Sequence, residues 1–124
     1  MIVLDTTVLV DVLRGHSAAL AYLRSLDEVP ACSEISRVEL LRGIRHRERE
    51  AVEGLMRTLR WRPVDEEVAR RAGGLGRTWR RSHALSTADL IIAATAQELA
   101  AGLATSNVRH FPMFPGLVPP YRPG

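Results

Sequence analysis

The chain has 124 residues, 46% of them apolar, and a formal net charge of +3, which suits one domain with a real core and leaves little room for two. All of the basic excess is arginine. The absence of lysine excludes a P-loop nucleotide site, a Schiff-base enzyme and a kinase of the usual design, each of which places a lysine at the centre of its chemistry.

Residues 2–4 form a short apolar run that reads as a buried strand. The first twelve residues carry Asp5 and Asp11 and lack the basic lead and cleavage pattern of a signal peptide. No apolar run is long enough to span a bilayer, so a cytoplasmic protein with no membrane partner is expected. After a turn at Asp5-Thr6-Thr7, Val8, Leu9, Val12 and Leu13 have helical spacing up to Gly15. Ser17 is placed to cap a second helix with Leu20, Leu23 and Leu26 inward. Residues 29–33 read as a second strand. This strand holds the lone cysteine, Cys32, which has no partner for an internal disulfide and reads as a packing residue.

A third helix is predicted from Ser36, with Val38, Leu40, Leu41 and Ile44 as its apolar set, then a charged link over 46–50. A fourth helix turns Val52, Leu55, Met56 and Leu59 inward, and residues 61–64 resemble a third strand. Asp65 begins another helix towards Arg81, interrupted at Gly73-Gly74-Leu75-Gly76, which is not a dinucleotide fingerprint because no strand precedes it. The last helix starts near Ser86, carries Leu90, Ile91, Ala93, Ala94 and Ala96 inward, and runs to about Ala101. A fourth strand follows at 103–105, then a loop over 106–111 and a proline-rich tail with at most a short strand at Leu117-Val118. Strands alternating with helices predict an α/β fold: a three-layer α/β/α sandwich over one domain, 1–124, with a mainly parallel sheet of four to five strands.

Three carboxylates stand at element ends. Asp5 follows the first strand, while Ser36-Arg37-Val38-Glu39 and Ser86-Thr87-Ala88-Asp89 both have the spacing of a capping box. Helix capping alone accounts for either of the latter two. Together with Asp5, however, they can meet at the carboxyl edge of a parallel sheet, where ligands bind. Crowded carboxylates are costly unless a cation neutralises them. Oxygen ligands without any cysteine–histidine set point to Mg2+, with Mn2+ as substitute, and so to phosphodiester hydrolysis.

Four stretches carry a resemblance. They are Ile2-Val3-Leu4-Asp5-Thr6-Thr7-Val8-Leu9-Val10-Asp11, Ser36-Arg37-Val38-Glu39-Leu40-Leu41-Arg42-Gly43, Asp89-Leu90-Ile91-Ile92-Ala93-Ala94-Thr95-Ala96 and Leu103-Ala104-Thr105-Ser106-Asn107-Val108-Arg109-His110-Phe111. In this order the chain resembles the PIN-domain nucleases, and among them the VapC-type toxins of bacterial toxin–antitoxin pairs. The resemblance implies a magnesium-dependent endoribonuclease that cleaves structured RNA, tRNA or rRNA, and is silenced by a cognate VapB-type antitoxin. It also implies a homodimer. Asp5, Glu39 and Asp89 take the family's catalytic and metal-ligand positions. The last motif departs from the pattern, offering Asn107 and His110 where many relatives have an aspartate, which favours one firmly held metal over two.

Thr6, and with it Ser36 and Thr105, can orient carboxylates, and each also reads as a cap or strand-end residue. Asp11 reads as a solvated surface carboxylate. Arg109, Arg77, Arg80 and Arg81 are candidate phosphate contacts, with a charged surface run as the other reading. A dehalogenase-like phosphatase would need an aspartate where Thr7 stands, and a lysine as well. The remaining alternative is a PIN-like module with weak or lost nuclease activity, acting by RNA or partner binding.

Overall fold

The computed structural model describes residues 1–80 and 85–122. Strands β1 (Ile2–Leu4), β2 (Ala31–Ser33), β3 (Arg60–Arg62) and β4 (Gly102–Ala104) pair in the order β3-β2-β1-β4, all parallel. Parallel neighbours cannot be joined by a tight turn, so the connections are helical. The pair α1 (Thr6–Leu13) and α2 (Ser17–Ser25) leads to β2, and α3 (Glu34–Gly43) and α4 (Arg49–Arg57) lead to β3. The last pair, α5 (Glu66–Trp79) and α6 (Thr87–Glu98), leads to β4.

Strand alternation sorts the core into two layers. Val3 pairs with both Ala31 and Leu103, and these three join Ile92, Ala93, Ala96 and Phe111 on one side of the sheet. One residue further on, Leu4, Cys32 and Ala104 join Val8, Leu9, Leu40, Val52 and Met56 on the other. This is the expected α/β/α layering, with four strands. Helix α6 lies between the sheet and α5, where Ala94 meets Val68 and Ala72. Ile92 to Ala96 are therefore all buried, including Thr95, whose hydroxyl bonds back to the Ile91 carbonyl at 2.7 Å.

Several local expectations are corrected. Helix α2 is capped by His16 rather than Ser17: Nδ1 accepts from the Ala19 amide at 3.3 Å. Helix α3 starts at Glu34, capped by the Ser33 hydroxyl, so Ser36 lies inside it. Val38 and Leu41, expected inward, are 56% and 41% exposed, because Leu40 and Ile35 are the α3 residues that meet the core. The glycine run does not interrupt α5, which continues to Trp79. Helix α6 ends at Glu98, and Ala100 at φ 51° turns the chain into β4. Among the described residues no strand forms at 117–118. No helix there is long and apolar enough to cross a membrane.

Candidate active site

The chain leaves β1 towards β2 on one side, and β4 returns on the other, so the direction of winding reverses between β1 and β4. In open parallel sheets that reversal opens a crevice at the carboxyl ends of the strands. Asp5 follows β1 and Thr105 follows β4, and a cleft of about 490 Å³ opens there. Its walls include Asp5, Glu39 and Asp89, together with Thr6, Asn107 and His110.

Asp5 is 3% exposed and caps α1. Its Oδ1 accepts from the Thr6 amide at 2.8 Å, and Oδ2 accepts from the Thr7 and Thr105 hydroxyls at 2.9 and 2.7 Å. Burial raises its pKa above the usual carboxylate value. The hydrogen bonds from Thr105, Thr7 and Thr6 oppose that rise, and the charge of Asp89 adds to it. Thr105 in turn accepts from the Asn107 amide at 2.9 Å, which ties the loop after β4 to the same carboxylate.

Glu39 enters from the middle of α3. Thr6 Oγ1 donates to Glu39 Oε1 at 2.6 Å, which uses the only hydroxyl proton of Thr6. The buried Ser36 hydroxyl, 2.8 Å from Thr6 Oγ1, is therefore the donor in the Ser36–Thr6 bond. Asp89 stands in the first turn of α6, where its amide donates to the Ser86 hydroxyl at 3.1 Å. Its carboxylate Oδ2 lies 3.2 Å from His110 Nδ1.

Among the described residues no three His, Cys, Asp or Glu side chains stand close enough to hold one ion directly. The three carboxylates share a cleft without forming a tight ligand cluster. The donor set is still hard oxygen, and it suits an ion that keeps most of its water shell and takes only one or two carboxylates, as Mg2+ does.

Of the arginines singled out by sequence, Arg77, Arg80 and Arg109 are exposed and do not line the cleft, and Arg81 lies outside the described residues. Helix α5 turns Val68 and Ala72 inward, so its arginines near the C-terminal end point to solvent. Arg14 lines the cleft instead. It was legible in principle, four residues after Val10 and three after Asp11 on the same helix face. Asp11 is not a freely solvated carboxylate: it lines the cleft and accepts from Tyr121 Oη at 2.7 Å, a contact across 110 residues that no local pattern signals.

A profile described as PIN domain matches residues 2–113. Ribonuclease VapC19 of Mycobacterium tuberculosis is 47% identical over 125 residues, covering 98% of this chain and 100% of that protein. Ribonuclease VapC10 of the same species is 45% identical over 124 residues, covering 98% and 93%. Among solved structures, a toxin–antitoxin complex from Klebsiella pneumoniae holds a chain 27% identical to this one, with a TM-score of 0.85 and 98% of each chain covered. With that match, those full-length relatives and the α/β/α fold in hand, the chain belongs to the PIN domain family, in its VapC group.

Proposed function

We propose that this protein is a metal-dependent endoribonuclease, the toxin of a toxin–antitoxin pair, hydrolysing phosphodiester bonds in structured cellular RNA. The observation that carries the reading is the shared cleft of Asp5, Glu39 and Asp89 at the winding reversal of the sheet. The ribonuclease names of the two relatives and the toxin–antitoxin title of the solved complex support it.

Asp5 and Asp89 would hold Mg2+ or Mn2+, with Glu39 as a further ligand or as the base that takes a proton from water. When bound, the ion supplies Lewis-acid stabilisation of the charge that builds on the phosphodiester, and lowers the pKa of water. Thr105 and Thr7 fix the orientation of Asp5, Thr6 fixes Glu39, and His110 restrains Asp89. Asn107 borders the cleft at the position where the family resemblance implies an acid, and it adds no charge there, which favours one firmly held ion.

Silencing by a cognate antitoxin belongs to the same reading, since an arginine offered by a partner would be drawn to these carboxylates. A homodimer is also expected, and light scattering at micromolar concentration tests it. The deciding experiment compares cleavage of cellular RNA by the wild type and by Asp89→Asn in Mg2+ and in chelator. Loss of cleavage in the variant and in chelator, with an unchanged circular-dichroism spectrum, supports the reading; undiminished cleavage by Asp89→Asn overturns it.

A further inference from the structure

The cleft carries four carboxylates, Asp5, Asp11, Glu39 and Asp89, against one arginine, Arg14. A polyanion is repelled by that field, so an RNA strand delivered there needs cationic contacts along its approach. Two further cavities lie beside the cleft on the α1, α3 and α4 side. The first, about 230 Å³, shares Val10, Arg14 and Glu39 with the cleft, lies between α1, α3 and α4, and sets Glu39 and Glu48 against Arg14 on a mainly apolar lining. The second, about 460 Å³, shares Ile44 with the first and is walled by Arg45, His46 and Arg49, with Glu53 its one acid.

This outer pocket sits where a short helical turn, His46–Glu48, runs into α4; Glu48 at that junction accepts from the Arg45 amide at 2.8 Å, so the cationic groups the pocket offers are the Arg45 and Arg49 guanidiniums. Arg37, Arg62, Arg70 and Arg71 are engaged in ion pairs, whereas Arg14, Arg45 and Arg49 have none among the described residues. Exposed guanidinium groups without an ion-pair partner suit bidentate contact with phosphate.

We propose that the Arg45–Arg49 pocket binds the phosphate backbone of single-stranded RNA whose neighbouring nucleotides enter the acidic cleft. The proposal rests on the ribonuclease reading, and it moves the RNA contacts from Arg77, Arg80 and Arg109 to the opposite side of the sheet's core. A single strand is flexible enough to contact the pocket and enter the cleft at once. An acidic protein segment on the same arginines is the competing occupant.

The test uses the full chain carrying Asp5→Asn, chosen to stop cutting, and a labelled single-stranded RNA oligonucleotide of mixed sequence. Adding Arg45→Gln and Arg49→Gln should weaken binding about tenfold and reduce the slope of log affinity against log salt by about 1.4, the loss of two phosphate contacts. Arg45→Lys with Arg49→Lys should restore most of the slope, and Arg77→Gln with Arg80→Gln should change neither quantity. Equal melting temperatures show that the variants remain folded. Unchanged affinity and slope in the Arg45/Arg49 glutamine variant overturn the proposal and leave the pocket to a protein partner. Failure of the Asp5→Asn chain to bind the oligonucleotide overturns it as well. Wild-type cleavage of cellular RNA, measured separately, reports on the ribonuclease reading alone.

Discussion

Thr105 Oγ1 donates a 2.7 Å hydrogen bond to Asp5 Oδ2, joining the ends of β4 and β1 across 100 residues. This bond is one of three that hold a buried carboxylate in its charged form against the cost of leaving water.

That balance gives a pH signature. The pKa of Asp5 is raised above 3.8 in the folded chain, so between 3.8 and the raised value the native state binds more protons than the unfolded one. The Asp5 contribution to stability is then fully present below pH 3.8 and is lost as pH rises through the folded pKa. Urea denaturation at a series of pH values should show the wild type losing stability relative to Asp5→Asn on going from acid to neutral pH. Thr105→Val should enlarge that loss. At neutral pH, added Mg2+ should raise the melting temperature of the wild type and leave that of Asp5→Asn nearly unchanged.

Thr6 links Ser36 and Glu39, and its hydroxyl is the only protein donor recorded on the Glu39 carboxylate among the described residues. Thr6→Val keeps the shape and removes the donor. We expect RNA cleavage to fall about 10- to 100-fold, the usual cost of losing an orienting partner, with the melting temperature within a few degrees of wild type. Thr6→Ser should recover most of the rate. A Thr6→Val enzyme of full activity would show that Glu39 needs no such restraint.

The glycines of α5 separate helix propensity from packing. A Cβ on Gly73 meets nothing within 4 Å, so Gly73→Ala should stabilise the fold by about 0.5–1 kcal/mol. A Cβ on Gly76 would lie 3.1 Å from Leu90 Cδ1, between α5 and α6. Gly76→Ala should therefore gain less than Gly73→Ala, since the Leu90 side chain must yield. Paired urea titrations decide the order.

Cys32 is wholly buried in β2, and its thiol pKa is pushed up to about 12 by burial. It should resist an aromatic disulfide reagent at pH 8 in the native protein, and react at once in denaturant. Native-state labelling at the rate of a free thiol would contradict the packing described for the sheet.

Much of the layering was legible in the amino-acid sequence. The strand at 2–4 follows from Ile2, Val3 and Leu4 ahead of Asp5, the run read as a strand at 29–33 contains the shorter β2, Ala31–Ser33, and Gly15 at φ 76° closes α1 as its position suggests. Asp5, Glu39 and Asp89 stood out because acids beside apolar helical runs need a partner, and the fold brings all three to one cleft. The inward face of α3 was misjudged because Val38, Leu40 and Leu41 are all apolar, and periodicity alone cannot say which of three adjacent directions the sheet will occupy.

What local pattern determined was therefore the element types, their order and the residue kinds fit for metal-assisted hydrolysis, since these depend on neighbours a few positions away. Tertiary structure alone decided the partners: Thr105 on Asp5, Thr6 on Glu39, His110 beside Asp89 and Tyr121 on Asp11. It also decided which arginines face the cleft. Such pairs lie up to 110 residues apart, and only the register of the parallel sheet and the packing of helices on its two faces bring them within hydrogen-bond reach.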